Sequence, residues 1–255
     1  MQVKNGLFQK KRKNFLKKPK LGENMQTIGK KVKELKEYLS KGNVYGEPVF
    51  LVAATKMQTA EAVNEAIAAG VDAVAENKPQ EFRDKYPSLK PCPCHFIGHL
   101  QTNKVKYLIG KIDLYHSCDR DDLAKELAKQ SLKLGITSDI LIQINIGKEE
   151  SKGGYAPEEA KEAFFRLSSA GGLRVRGFMA MLPETDDDAL LARLADEMRA
   201  LFNWAKAQSK DVAYLSMGMS GDYKLCIEHG SNMIRVGSTI FGARNYGGGE
   251  HEKKA

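Results

Sequence analysis

The sequence predicts a single-domain α/β fold, a (β/α)8 TIM barrel with an extra N-terminal helix, and three observations support this prediction. Eight short apolar segments alternate with seven helical segments, which is typical of parallel strands joined by helical crossovers. Strands such as 139–146 are apolar almost throughout, which indicates that both of their faces are buried. The chain has 255 residues, and such barrels typically have about 250 residues.

The extra helix is predicted over residues 25–41, because apolar residues recur there at the spacing of one helical face. They are Ile28, Val32, Leu35 and Leu39. The first strand is predicted over 49–54, a continuous apolar run that ends just before Lys56. A helix over 59–69 follows it and completes the first strand–helix unit.

The same alternation continues along the rest of the predicted domain. The remaining strands are predicted at 72–76, 94–98, 113–117, 139–146, 174–181, 212–216 and 233–237. The remaining helices are predicted at 78–86, 102–109, 120–134, 157–169, 187–208 and 221–229. A doubly wound open sheet is the competing architecture, but the turn after the first strand lacks the glycines that such a fold usually carries there.

The formal net charge of +8 is concentrated at the N-terminus. Residues 1–24 hold eight lysines and arginines against a single acid, so the rest of the chain is near +1. We expect residues 1–24 to be a basic, disordered tail, 25–246 to form the barrel and 247–255 to be a polar C-terminal tail. A nearly neutral barrel does not favour nucleic-acid binding.

Composition also excludes several classes of protein. Four unevenly spaced cysteines do not form a disulfide scaffold, which favours a reducing, cytoplasmic location. The apolar runs are far shorter than the roughly 20 residues of a membrane span, and no secretory signal is visible. We therefore expect a cytoplasmic monomer that binds neither nucleic acid nor membrane and has no room for a second domain.

Two loops rich in small residues are predicted at the C-terminal ends of the seventh and eighth strands. Barrels often bind phosphate at these two loops, because small residues let backbone N–H groups approach an anion closely. The first loop carries Ser216, Gly218 and Ser220, and the second carries Gly237 and Ser238. The pair of loops predicts a phosphate site, whereas either one alone would be ordinary turn chemistry.

Lys56 stands at the end of the first predicted strand, where its side chain would enter the barrel mouth. A desolvated lysine has a lowered pKa and attacks aldehydes to form a Schiff base. Together with a phosphate site, it indicates either a phosphosugar, as in a class I aldolase, or pyridoxal 5′-phosphate (PLP). Arg235, at the end of the eighth strand, would be within reach of the ring nitrogen of a pyridine.

Five segments together resemble the pyridoxal phosphate homeostasis protein family, which is similar in fold to the barrel domain of alanine racemase. They are Thr55-Lys56, Glu76-Asn77, His95-Phe-Ile-Gly-His-Leu-Gln-Thr-Asn-Lys104, Ser216-Met-Gly-Met-Ser220 and Arg235-Val-Gly-Ser-Thr-Ile-Phe-Gly242. The resemblance extends from about Met25 to Arg244. Its third, fourth and fifth segments are specific enough to make chance agreement in this order improbable.

The resemblance implies PLP as the cofactor, held by Lys56 as a Schiff base. It implies that Ser216, Gly237 and Ser238 contact the phosphate, and that Arg235 faces the pyridine nitrogen. The other implied cofactor-binding residues are Asn77, Met179 and Met217. Two positions depart from the family pattern: Lys78 replaces a frequent aromatic residue, and Ser238 replaces a frequent threonine without loss of the hydroxyl.

A zinc site is the alternative interpretation of one cluster, Cys92, Cys94, His95 and His99. Alternate residues of a strand point to one face, so His95 would point away from both cysteines. We therefore predict no metal site.

Three function classes follow from these residues. The first is a protein that holds PLP for intracellular vitamin B6 homeostasis without established catalysis, with apo PLP-dependent enzymes as possible acceptors. The second is a PLP-dependent amino-acid racemase, which requires a base on each face of the cofactor. The third, a class I aldolase, requires a carboxylate beside Lys56, for which only Glu76 is near in the sequence. We favour the first class and assign no catalytic residue.

Overall fold

The computed structural model describes residues 21–242, which form a closed barrel of eight parallel strands. The strands are β1 Phe50–Ala54, β2 Ala73–Glu76, β3 Cys94–Phe96, β4 Leu114–Cys118, β5 Ser138–Ile144, β6 Leu173–Ala180, β7 Tyr214–Ser216 and β8 Met233–Val236. They pair in chain order, and β8 pairs with β1 to close the ring. The predicted (β/α)8 barrel is confirmed.

Helices surround the barrel on the outside. They are α1 Leu21–Leu39, α2 Ala60–Ala68, α3 Pro79–Lys85, α4 Asp121–Lys133, α5 Ala160–Ser168, α6 Asp188–Gln208, α7 Tyr223–Glu228 and α8 Ser238–Phe241. Short 3-10 segments lie at Tyr86–Ser88, Thr102–Tyr107 and Pro157–Glu159. The helix predicted over 102–109 is thus a 3-10 segment, and the single turn α8 is too short to show a helical period in the sequence.

The apolar residues divide into two cores, as a barrel fold requires. The inner core fills the barrel and contains Val52, Ala73, Ala75, Leu114, Leu141, Met179 and Met233. The outer core lies between the strands and the helices and contains most of the remaining buried apolar residues. Because successive strand residues alternate between the two cores, each strand position has a defined side.

Helix α6 illustrates how the sequence determines the outer layer. The side chain of Asp187 accepts a hydrogen bond of 3.0 Å from the backbone N–H of Leu190 and caps the helix. Residues at the spacing of one helical face are then buried against the barrel: Leu191, Leu194, Ala195, Met198, Phe202 and Ala205.

The extra helix is present and begins earlier than predicted. Ile28, Val32, Leu35 and Leu39 are buried, as the helical spacing indicates. The helix starts at Leu21, so the last residues of the predicted tail belong to it. Residues 1–20 and 247–255 lie outside the described residues. Within 21–242, no helix has both the length and the apolar character needed to cross a membrane.

Candidate functional site

Side chains from three neighbouring strands lie at the barrel mouth. The inner core includes Val52 of β1, Ala75 of β2 and Met233 of β8. Alternate residues of a strand point to the same face. Lys56, Asn77 and Arg235 follow these three residues by an even number of positions, so they lie on the inner face of the barrel, at or just beyond the strand ends. Strand β1 lies between β2 and β8 in the sheet, and Val52 pairs with Arg235, so these three residues lie on adjacent strands.

The residue before Lys56 is fixed by a buried carboxylate. The hydroxyl of Thr55 donates a hydrogen bond of 2.6 Å to Oε1 of Glu76, and the ammonium of Lys85 is ion-paired with the same oxygen. Nζ of Lys85 also donates to the backbone oxygen of Thr55 at 2.7 Å. Burial raises the pKa of Glu76, while hydrogen bonds from Lys85 and Thr55 oppose this shift. Glu76 therefore ties the ends of β1 and β2 to α3.

Asn77 is positioned by a close approach of the chain at Gly98. A Cβ on Gly98 would lie 2.0 Å from the backbone oxygen of Asn77, so only glycine fits there. The side-chain oxygen Oδ1 of Asn77 is buried and has no hydrogen-bond partner among the described residues. A buried amide oxygen without a donor is unfavourable, so this atom is suited to accept a hydrogen bond from a ligand.

Arg235 places a buried cation at the base of the mouth. Its Nη1 donates to the backbone oxygen and to the hydroxyl of Ser216, at 2.8 and 2.7 Å, and its Nη2 donates to the backbone oxygen of Ala180 at 3.0 Å. No carboxylate of the described residues forms an ion pair with it. Burial lowers the pKa of Arg235 to about 10, so the side chain still carries its charge at neutral pH.

The two predicted phosphate loops meet at the hydroxyl of Ser220. Its Oγ accepts hydrogen bonds from the backbone N–H groups of Gly237 and Thr239, both at 3.3 Å. Two N–H groups of the β8 loop thus point at one oxygen, as they would at a phosphate oxygen. Ser238 lies between them and is exposed. Ser220 and Thr239 also line an open cleft of about 1190 Å³ beside the mouth.

Ser216, at the end of β7, and Met217, the residue after it, are both fully buried. The hydroxyl of Ser216 is fully buried and is bound by Arg235 and by Nδ1 of His116, at 2.7 and 3.0 Å. Met217 follows in the strand direction and therefore faces the opposite side, where it is fully buried in the outer core. The phosphate contact of Ser216 and the cofactor contact of Met217, which the resemblance implies, stay predictions.

Met179 lies where the resemblance places it, on the inner face of β6. It belongs to the inner core and pairs across the sheet with Ser216. It therefore lies near the Arg235 guanidinium, which spans β6, β7 and β8. Its contact with a cofactor ring stays a prediction, as do the phosphate contacts of Gly237 and Ser238.

Cys94 and His95 of the cysteine–histidine cluster face opposite sides of the sheet. Cys94 belongs to the outer core, whereas His95 bonds Nε2 of His116 through its Nδ1 at 3.0 Å, inside the barrel. Within residues 21–242, no group of three or more histidine, cysteine or acidic side chains is arranged to hold a metal ion.

The contacts of several residues that shape the site could not be predicted from the sequence. Ser220 stood in a recognised loop, but only the fold shows that its hydroxyl joins the two loops. Lys85 and Glu81 on α3 form an ordinary charged pattern in the sequence. His116 stands in the fourth strand with no motif around it, and its inward direction follows only from strand phase.

Comparison with known proteins relates the whole barrel to one family. The chain matches the family model described as alanine racemase, N-terminal domain, over residues 21–245. A pyridoxal phosphate homeostasis protein of Aquifex aeolicus is 41% identical over 205 residues, which are 77% of this chain and 87% of that protein.

Solved structures agree with this relationship. PipY of Synechococcus elongatus, solved with PLP bound, superposes with a TM-score of 0.74 at 29% identity and covers 84% of this chain and 100% of its own. An alanine racemase of Clostridium difficile superposes with a TM-score of 0.69 at 14% identity and covers 87% of this chain and 60% of its own. The second likeness concerns the fold alone.

Proposed function

Because the chain belongs to the pyridoxal phosphate homeostasis protein family, we propose that it binds PLP in the barrel mouth and serves intracellular PLP homeostasis. The observation that carries this proposal is the convergence of Lys56, Asn77 and Arg235 beside the two small-residue loops. The relative PipY, which has PLP bound, supports it.

The polar groups of the mouth fit this cofactor. Oδ1 of Asn77 lacks a donor among the described residues, and the hydrogen bonds that Arg235 makes use Nη1 and Nη2. The backbone N–H groups of Gly237 and Thr239 point at a single oxygen, which suits a phosphate. An amine, a ring-facing donor and an anion-binding loop are the three contacts that a phosphorylated pyridine aldehyde requires.

We assign the following roles to the residues of this chain. Lys56 would hold the aldehyde carbon covalently through Nζ, with the aldehyde oxygen leaving as water, and Met179 would pack against the ring. Arg235 donates to the ring nitrogen, and Gly237 and Ser238 bind the phosphate. When bound, PLP supplies a reactive aldehyde and an electron-accepting ring.

The proposed position of Arg235 favours a holding role, in which the protein binds PLP without catalysing amino-acid chemistry. A fixed cation beside the ring nitrogen opposes its protonation, because two positive charges would then lie in contact. The unprotonated ring accepts electrons less readily and is poorly suited to amino-acid chemistry. We therefore propose that the protein is a cytoplasmic monomer that keeps PLP in a protected form for transfer, with apo PLP-dependent enzymes as the acceptors.

Reductive trapping tests the proposal. The full-length protein, incubated with PLP and treated with borohydride, should retain the cofactor on the peptide that contains Lys56. Lys56→Ala should abolish this labelling, whereas Lys78→Ala should keep it, since Lys78, next to Asn77, is an exposed lysine with 72% of its side chain accessible. Failure of the wild-type protein to bind PLP, or labelling that persists in Lys56→Ala, would refute the proposal.

A racemase-type enzyme is the second candidate, and one contact favours it. Nδ1 of His99 lies 2.9 Å from Oδ2 of the buried carboxylate of Asp119, while the imidazole is largely exposed. A carboxylate that orients an exposed imidazole is a frequent arrangement for a general base.

A further inference from the structure

A chain of four hydrogen-bonded side chains runs through the interior of the barrel beneath the mouth. Nη1 of Arg235 donates to Oγ of Ser216 at 2.7 Å, and this oxygen lies 3.0 Å from Nδ1 of His116. Nε2 of His116 lies 3.0 Å from Nδ1 of His95. All four side chains are buried, so each polar atom depends on its neighbours in the chain for hydrogen bonding.

The chain ends at a cavity on the opposite side of the barrel. His95 lines this cavity of about 520 Å³, together with residues from the beginnings of strands, such as Phe50, Ala73 and Met233. No group of the described residues bonds the second ring nitrogen of His95, Nε2. The cavity supplies the space in which water reaches this end of the chain.

Both histidines are neutral at physiological pH. Burial lowers the pKa of His95 to about 4. Burial also holds the pKa of His116 well below its usual value, and the nearby His95 and Arg235 add to the effect. A neutral imidazole has one N–H donor and one acceptor nitrogen, so the chain has only two possible directions.

Arg235 selects between these directions, because a guanidinium can only donate. Oγ of Ser216 therefore accepts from Arg235 and can give its own proton to Nδ1 of His116. Nε2–H of His116 then donates to Nδ1 of His95, and Nε2–H of His95 points to the cavity. In the reverse direction, the buried Ser216 hydroxyl would have no acceptor among the described residues, which is unfavourable.

We propose that Ser216, His116 and His95 are positioning residues that orient Arg235, with His116 held as the tautomer protonated on Nε2. The hydroxyl of Ser216, fixed by His116, holds Nη1 of the guanidinium and so keeps Arg235 in one orientation at the base of the mouth. The orientation toward a cofactor ring rests on the proposed function, whereas the tautomer of His116 does not.

The first test is the tautomer in the cofactor-free, full-length protein. The chain has five histidines, so their ring nitrogens are resolvable by ¹⁵N NMR, with His95 and His116 assigned from variants. We expect Nδ1 of His116 to resonate as an unprotonated nitrogen and Nε2 as a protonated one. Ser216→Ala should weaken this preference and Ser216→Thr should retain it. A His116 protonated on Nδ1, or a cationic His116 at pH 7, would overturn the proposal.

The second test uses a matched pair of amides. In His116→Asn the amide takes the place of Nδ1 and keeps an acceptor for Ser216, whereas in His116→Gln it takes the place of Nε2 and loses that contact. We expect PLP to bind about tenfold more weakly to the Gln variant and within about threefold of wild type to the Asn variant. The ¹⁵N shift of labelled PLP should change only in the Gln variant.

The two tests separate the inference from the proposed function. Equal PLP binding and equal ring shifts in the Asn and Gln variants would refute the positioning role. A protein that binds no PLP but shows the expected His116 tautomer would refute the proposed function and leave the hydrogen-bonded chain established.

Discussion

The backbone N–H of Met57 donates a hydrogen bond of 2.7 Å to Oε2 of Glu81 on α3. Met57 has a φ of +61°, a left-handed conformation that is unfavourable for a side chain of this kind. This bond and the Glu76–Thr55 bond fix the chain on both sides of Lys56. The direction of Lys56 is thus determined by carboxylates from outside the mouth.

We predict that Glu81→Ala weakens PLP binding by about three- to tenfold. The variant leaves the N–H of Met57 without its acceptor and frees the turn that follows Lys56, and a hydrogen bond to a charged group contributes about 1.5–3 kcal/mol when well protected. Glu81→Gln keeps an acceptor and should bind nearly as well as wild type. Spectrophotometric titration with PLP measures the effect.

A control for this prediction is Glu34→Ala on α1, which removes an exposed carboxylate 3.9 Å from Lys30. It should leave PLP binding unchanged. If Glu81→Ala binds PLP as tightly as the control does, the turn at Met57 does not depend on Glu81.

We predict that Gly98→Ala destabilises the protein and impairs PLP binding. The new Cβ would lie 2.0 Å from the backbone oxygen of Asn77, so the β2 end must move. Overpacking of this kind destabilises by about 1–3 kcal/mol. Gly221→Ala is the matched control, since nothing lies within 4 Å of its Cβ position. Urea denaturation and PLP titration should distinguish the two variants, and equal behaviour would contradict the close approach.

We predict that the stability of the folded protein depends on pH through the carboxyl of Glu47. Partial burial raises the pKa of its carboxyl. Hydrogen bonds from Arg199, Asn43 and Lys206 outweigh burial and lower the pKa to about 2. Because the folded-state pKa lies below the ordinary glutamate value of 4.5, the stabilisation is complete above about pH 4.5 and is lost as the pH falls toward 2.

Glu47→Gln should therefore be less stable than wild type at pH 7, by about 1–2 kcal/mol after allowance for solvent screening. The difference should shrink between pH 4.5 and 2, where the wild-type carboxylate becomes protonated. Denaturant titrations at pH 7, 4 and 3 measure it. A difference that stays constant over this range would show that Glu47 does not stabilise the fold through its charge.

The barrel could be predicted from the sequence because apolar residues recur with different periods in strands and in helices, and because each barrel strand must bury both of its faces. The continuous run at Ile140–Ile144 and the helical spacing at Val32 and Leu35 required no knowledge of contacts. Strand ends then indicated where Lys56 and Arg235 must lie.

Side-chain partners could not be predicted in the same way. Ser216 and Met217 are adjacent in a recognised motif, yet they face opposite cores, because strand phase depends on where β7 begins. His116 hydrogen-bonds Ser216, and Glu81 hydrogen-bonds Met57. The partners are far apart in the sequence, so no local sequence pattern indicates these pairs. The neutral state of His95 likewise depends on burial in the closed barrel.

A final prediction concerns amino-acid chemistry in the mouth. Racemisation needs a proton donor and acceptor on each face of the substrate's α-carbon, and Lys56 supplies one of them. Tyr223 is a poor second base: burial raises the pKa of its phenol, and its ring packs edge-on against Tyr38 with 5.9 Å between centroids. His99, oriented by Asp119, is the stronger candidate.

We expect the PLP-loaded protein to exchange the α-proton of alanine or serine with deuterium slowly and without inversion. Arg235 disfavours the protonated ring, and each positioned proton transfer contributes about 10²- to 10⁴-fold to a rate, so Lys56 acting alone should give a trace rate at most. Exchange followed by NMR and chiral analysis of the product give the two rates. Inversion at about 1–10³ s⁻¹, the usual range of enzyme turnover, would refute the holding role. If His99→Asn abolished such inversion and Tyr223→Phe did not, His99 would be the second base and the protein a racemase.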